Sequence, residues 1–264
     1  MSPGNADACA VTDVWPRFVT NLAAALDRQW RESPPKCFWS KCADGTLVSD
    51  FDIEVDLVVR RLFTRFYPGA PLLSEELGWL TSGGASTGLT AVLDPVDGTS
   101  SLARAVPEWW VSLAVHATEV PVVGLIYQPV RRVIHDSLSP SRAARKSTGR
   151  VGMNPDQLEL KSPVAGRIRK AGFELTAVPH AVEKIAAVIE GRLDAGVYLP
   201  NAKSPDWRSW DLAAALPLAR ANEMVLLTTE ARPIRLDDLE ARCTDAWICA
   251  SNRDVFDAVC AAIT

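Results

Sequence analysis

Two aspartates, Asp94 and Asp97, follow the apolar run Leu89-Thr90-Ala91-Val92-Leu93 in the segment Asp94-Pro95-Val96-Asp97-Gly98-Thr99. The run reads as a buried strand that delivers Asp94 at its C-terminal end, where Pro95, lacking an N–H, is expected to stop the ladder. Carboxylates so placed repel each other and are costly to desolvate, and a cation between them relieves both effects. Gly98 permits a tight turn. Thr99-Ser100 then supplies hydroxyls and backbone N–H groups at the predicted start of a short helix, a natural place for a phosphate. Magnesium takes oxygen ligands and keeps several waters, so a few carboxylates and a substrate phosphate would satisfy it. The same hexapeptide can also be read as an Asp-Pro turn with a helix cap and no chemistry.

Other acids fall where the chain could return them to this place. Glu75 and Glu76 follow the strand-like Leu72-Leu73, although a solvated pair in a loop has the same appearance. Asp211 opens the helix beginning Trp210-Asp211-Leu212-Ala213-Ala214-Ala215, where an aspartate is also a good cap. Asp52 stands three after Ser49, which a capping box explains on its own.

These side chains need a scaffold, and the hydrophobic periodicity supplies one. Helices are predicted over residues 12–31 and from after Ser49 to Pro68-Gly69. Short apolar runs at 71–73, 89–93, 111–115, 122–127 and 133–134 read as strands of one sheet. Beyond the polar, basic stretch from Ser137 to Gly152, a helix (180–190), a strand (195–199), a helix (210–221), strands at 224–228 and 246–250 and a final helix (253–263) alternate. Such alternation predicts an α/β layered architecture. Residues 1–136 are expected to form an N-terminal α+β domain carrying most metal ligands, 137–152 a linker or mobile loop, and 153–264 a C-terminal α/β domain completing the site and selecting substrate.

The chain has 264 residues, 48% of them hydrophobic, and a formal net charge of -4, which together allow a sizeable core and offer no broad basic face to a nucleic-acid polymer. The first twenty residues hold no continuous apolar block, and later apolar runs are too short to cross a bilayer. Cys9, Cys37, Cys42, Cys243, Cys249 and Cys260 show no zinc-site spacing and are expected to be reduced thiols of a cytoplasmic protein.

Taken together, the motifs resemble the inositol monophosphatase family of metal-dependent, lithium-sensitive phosphatases. Asp94 to Thr99 matches the DPxDGT motif, Ser74-Glu75-Glu76 the GEE element with its glycine replaced, and Trp210 to Ala215 the WDxAAG element. The stretch from Lys41 to Asp52 is similar to the family's mobile loop. The resemblance implies an αβαβα sandwich, a homodimer, and hydrolysis of a small phosphorylated metabolite by water activated on two or three Mg²⁺ ions. It implies metal ligands at Glu75, Asp94, Asp97, Asp211 and the Val96 carbonyl, with Asp52 and Thr99 positioning the water and Glu75 sharing in catalysis. Gly98 and Thr99 N–H groups would hold the phosphate, and Asp211, His180 and Ala181 would border the substrate.

The departures lie on the leaving-group side. The segment between Asp136 and Gly172 lacks the family's glycine signature, so the C-terminal part reads as shortened; Pro179-His180-Ala181-Val182 replaces a glycine-rich turn; and a glutamate seven before the motif aspartate would fall at Ser204. Inositol, sugar, amino-alcohol and nucleotide phosphates therefore all stay open, as does a bisphosphate-nucleotidase-like activity or a specialised nucleoside or aminocyclitol phosphatase. A non-catalytic phosphate-binding regulator and a glycosidase using Asp94 and Asp97 as acid and base are the competing classes. His116, His135, Trp109-Trp110, Trp207 and Trp210 are expected to pack, and Arg142, Arg145 and Lys146 to be a solvated charge run that could attract a phosphorylated ligand.

Overall fold

The computed structural model describes residues 3–42, 45–81, 88–118, 120–141, 146–159 and 162–264, and for residues 3–10 and 159 the backbone alone. Arg142, Arg145, Ala43, Asp44 and the Cys9 side chain therefore lie outside the described residues.

Helix α1 (Pro3–Glu32) begins well before the predicted residue 12 and leads to a hairpin of β1 (Phe38–Ser40) and β2 (Leu47–Ser49). Helix α2 (Asp50–Phe66) starts at the capping box of Ser49 and Asp52. The next strands, β3 (Leu72–Ser74), β4 (Gly78–Leu80) and β5 (Leu89–Asp97), are followed by the one-turn helix α3 (Thr99–Leu102). Then come β6 (Trp110–Ala117), β7 (Val120–Gln128) and β8 (Val133–Asp136). The runs expected to share one sheet do so, in the order β4-β3-β5-β6-β7-β8, with β3 and β5 parallel and the other pairs antiparallel.

The polar stretch ending at Gly152 is not connection throughout. Residues 150–152 belong to β9 (Arg150–Met153), a strand paired in parallel on both sides, because Val151, Gly152 and Met153 can be buried completely. Helices α4 (Pro155–Glu159) and α5 (Pro163–Lys170) and strand β10 (Glu174–Ala177) occupy a region for which the sequence pattern predicts no element. Helix α6 (Ala181–Ile189) and strand β11 (Ala195–Tyr198) stand where predicted.

The helix expected over 210–221 is two, α7 (Ser209–Leu212) and α8 (Ala215–Ala221). Ala213 and Ala214 keep helical dihedrals, but Pro217 has no N–H to give the carbonyl four residues back, so the ladder breaks there. Strands β12 (Val225–Thr228) and β13 (Trp247–Ala250) and helix α9 (Arg253–Ile263) complete a second sheet and its cover, with strand order β10-β9-β11-β13-β12.

Side-chain alternation sorts these elements into an αβαβα sandwich. On β5 and β6, Ala91, Leu93, Val111, Leu113 and Val115 face α1 and α2, while Val92, Trp110 and Ala114 face α6, α7 and α8. The second sheet sends Tyr198, Trp247 and Cys249 into that same central layer and Val197, Ile248 and Ala250 toward α5 and α9. Both faces of the first sheet are covered, so β6 is buried along its whole length. Trp15 on α1 reaches across to donate to Asp136 Oδ1 at 2.8 Å. The described thiols Cys37, Cys42, Cys243, Cys249 and Cys260 are unbridged. Among the described residues no helix is long and apolar enough to cross a membrane.

The central helices dock against the first sheet at Gly124. A Cβ there would lie 2.7 Å from both the Ala214 carbonyl oxygen and Pro217 Cγ. Gly124→Ala should therefore push α7 and α8 off β7 and cost about 1–3 kcal/mol, read as a lower midpoint in urea unfolding. An unchanged midpoint would show that this seam is not close-packed.

Candidate metal centre

Pro95 does not end the ladder, as its missing N–H had suggested; it sits in a bulge. Asp94 pairs with Ser112 and Asp97 with Trp110, so three steps along β5 oppose two along β6. The extra residue has a decisive effect. In a regular strand, positions three apart face opposite sides, but Ser112 and Trp110 share a face, and the bulge aligns both aspartates with it. That is the face covered by α6 and α7.

From the other side α7 brings Asp211. One carboxylate oxygen each of Asp94, Asp97 and Asp211 lies within 4.8 Å of the others. Each acid is anchored by backbone: Val96 N–H donates to Asp94 Oδ1 at 3.0 Å, Val182 N–H at the start of α6 to Asp97 Oδ2 at 2.8 Å, and Arg208 N–H to Asp211 Oδ2 at 2.6 Å. Asp211 is thus a helix-start acid and a site acid at once. Burial, and after it repulsion from neighbouring acids led by Glu75, raise all three: Asp94 well above its ordinary range, Asp97 to about 7 and Asp211 to about 8. None of them forms a salt bridge with a basic side chain among the described residues. A compact, all-oxygen, acidic donor set with no cation in salt-bridge contact fits a hard divalent ion.

Glu75 borders this group without joining it. Its backbone N–H donates to Leu93 O at 3.2 Å, and its charge acts on Asp94, Asp97 and Asp211, but its carboxylate binds Lys41 Nζ at 2.8 Å. The same ammonium binds Glu76 at 2.8 Å. Burial opposes the charge on Lys41, and the two glutamates more than offset it, holding the ammonium above its usual range.

Asp52 serves two purposes through its two oxygens. Oδ2 accepts from Ser49 N–H at 3.1 Å and from the Ser49 hydroxyl, closing the capping box, while Oδ1 accepts from Thr99 Oγ1 at 2.6 Å. Burial raises it to about 6. The Val96 carbonyl also lies 3.2 Å from Thr99 Oγ1. Between Asp97 and Thr99, Gly98 takes φ +112°, and a Cβ on it would meet the Glu108 carbonyl at 2.9 Å and the His180 ring at 3.1 Å. Only glycine suits that turn.

His180 and Ala181 stand beside this turn. The His180 ring is engaged with α3, its Nε2 2.7 Å from Ser101 Oγ, and burial with Lys184 and Arg104 nearby lowers it to about 3. Both residues border a cavity of about 170 Å³ that also touches Asp97 and Asp211. Ser204 lines it too, in a turn that follows Tyr198. The sequence reading missed Asn154 and Lys184 in this cavity; the signal available for the lysine was its charge beside the apolar helix run Ile185-Ala186-Ala187-Val188. His135 stacks on Trp110 and pairs with Glu190 at 3.2 Å, and Trp109 and Trp110 are buried in the core, as expected of packing residues.

The model for the "Inositol monophosphatase family" matches residues 40–250. An inositol-1-monophosphatase of Synechocystis is 24% identical over 215 residues, covering 73% of this chain and 70% of that protein. A histidinol-phosphatase of Mycobacterium tuberculosis is 38% identical over 86 residues, 33% of this chain and 32% of that protein. The structure of the extragenic suppressor protein suhB of Bartonella henselae superposes with a TM-score of 0.74 at 18% identity, covering 97% and 98% of the two chains.

The acid cluster sets a pH dependence. In the unfolded chain aspartates ionise near pH 3.9, whereas here Asp52, Asp97 and Asp211 hold their protons to about 6, 7 and 8. The folded state binds more protons in that window, so the protein in EDTA should lose stability as pH rises from about 4 to 8. Its Tm should fall across that range, and Mg²⁺ at pH 8 should restore it. A flat Tm profile in EDTA would contradict this account of the cluster.

Proposed function

Because this chain belongs to the inositol monophosphatase family and is a phosphoric monoester hydrolase, we propose that it hydrolyses a small-molecule phosphate monoester with Mg²⁺ as cofactor. The observation that carries this reading is the bulge-aligned pair Asp94 and Asp97 meeting Asp211 beside the Asp52–Thr99 hydrogen bond.

Asp94, Asp97 and Asp211 would hold two or three cations, together with Glu75 and the Val96 carbonyl. Bound Mg²⁺ supplies a polarised phosphate and a water of lowered pKa. The remaining work belongs to the chain. Thr99 commits its hydroxyl proton to Asp52, so its oxygen presents lone pairs to a water proton, and Asp52, raised only to about 6, is ionised at neutral pH and keeps Thr99 so oriented. The N–H groups of Gly98 and Thr99, at a turn where Gly98 carries no side chain of its own, suit the phosphate oxygens, and no covalent intermediate is needed. Asp211, His180 and Ala181 border the leaving alcohol. We extend the reading to a cytoplasmic homodimer, in keeping with the unbridged thiols.

Phosphate release from a panel of inositol, sugar, amino-alcohol and nucleotide phosphates tests the proposal. Activity should vanish in EDTA and return with Mg²⁺, and Asp94→Asn should lower turnover by at least about a thousandfold while leaving the fold intact by circular dichroism. If the folded protein binds Mg²⁺ and phosphate but hydrolyses nothing, it is a phosphate-binding regulator instead.

A further inference from the structure

The cavity beside the carboxylates contains a cation to which hydrolysis assigns no task. Lys184, in the first turn of α6, is 1% exposed. Its ammonium donates to Asn154 Oδ1 at 2.7 Å and to the His180 carbonyl at 3.3 Å. Both partners are neutral, and among the described residues no carboxylate lies within salt-bridge distance of it. Asp97, Glu183, Asp156 and Asp211 act on it from further away, and Asp97 and Asp211 belong to the cation site, where bound metal would take up their charge. A buried ammonium left with neutral acceptors is costly unless an anion joins it.

Its position is built into the fold. A Cβ on Gly196 of β11 would lie 2.7 Å from Lys184 Cβ, so glycine lets strand and helix close around the lysine stem. Asn154, which receives the ammonium, is itself buried. Trp247 of β13 lines the same cavity, and its fully buried indole N–H has no acceptor among the described residues. Three carboxylates also line the cavity: Asp206 is paired with Arg242 at 3.2 Å, and Asp97 and Asp211 belong to the cation site. With those acids committed to Arg242 and to the cation site, Lys184 is the charged group of the cavity wall that has no ion-pair partner among the described residues.

We propose that Lys184 and Trp247 select a phosphate monoester whose alcohol carries a second anionic group, a carboxylate or a further phosphate, seated in this cavity of about 170 Å³. The assignment rests on the hydrolytic reading and narrows its substrate class. An alcohol bearing an ammonium group is disfavoured by the same lysine, and a neutral polyol leaves its charge unmatched.

The test compares matched esters with the Mg²⁺-loaded full chain: phosphoglycerate against glycerol phosphate for the carboxylate, and a hexose bisphosphate against the corresponding monophosphate for the second phosphate. The wild type should favour the acid-bearing member of at least one pair by about tenfold or more in kcat/KM, and Lys184→Met should cut that preference about thirtyfold, chiefly through KM. Trp247→Phe, which removes the indole N–H while keeping an aromatic ring, should reduce it by about threefold. Calorimetric binding of glycerate should weaken in parallel in Lys184→Met. A wild-type preference for the neutral member of both pairs would overturn the proposal. So would an equal fall for both members in Lys184→Met, which would make Lys184 a counter-charge for Asp97. If no ester is hydrolysed at all, the hydrolytic reading fails, and glycerate binding that depends on Lys184 still decides whether the cavity takes an anion. Should Lys184→Met not fold, the wild-type ratios and Trp247→Phe carry the decision.

Discussion

Three carboxylates held in mutual repulsion inside the protein are the constraint around which the rest is arranged. Asp94, Asp97 and Asp211 would each be more comfortable in water, and together they raise one another's proton affinity. The fold keeps them together by giving each a backbone N–H: one from the bulge itself, one from the start of α6, one from the residue before α7. The first sheet supplies two acids and the central helical layer supplies the third with two of the anchoring donors. The centre therefore exists only while sheet and helices stay in register. Gly124, where β7 meets Ala214 and Pro217, is where that register is fixed by contact.

The surrounding groups divide by charge. Lys41 on one flank is fully matched, gripping Glu75 and Glu76 together. Lys184 on the other flank hydrogen-bonds an amide oxygen and a carbonyl, with the carboxylates that act on it further off. The difference separates a cation that holds protein parts to each other from one left over for something that arrives. On the proposed reading, reaction chemistry would lie with the β5 bulge, α3 and Asp52, and substrate choice with α6, β11 and β13.

Much of this was legible in the sequence, and the reasons are local. Ser49 and Asp52 announced a helix start because a capping box needs only four residues, and the apolar runs at 89–93, 111–115 and 122–127 announced a sheet because buried strands leave little room for polar residues. The family's motifs added roles that spacing alone leaves undecided. Other features were hidden because they depend on what lies across the sheet. Pro95 reads as a stop in one strand; only the partner strand shows it as a bulge that turns Asp97 to the side of Asp94. The strand at Arg150 ends a polar, basic stretch and is too short for periodicity to announce. Pro217 inside an alanine-rich run was compatible with one helix until its missing hydrogen bond was traced. Lys184 carried a signal, a charge in an apolar helix, that has no meaning without the cavity it enters.

The long reach of the bonds around the centre has a consequence for how the chain is made. Thr99 finds Asp52 across 47 positions, and Val182 finds Asp97 across 85. Contacts of that span are slow to form, because the entropy of closing the intervening loop is spent before the bond can return anything. The six-stranded sheet is complete by residue 136, so it can assemble on a growing chain with Asp94 and Asp97 in place and their cover still unsynthesised. Without that cover the desolvation that raises the two acids would be absent. The centre needs α6 and α7 as well as the sheet, and their docking is what would turn a wet bulge into a site.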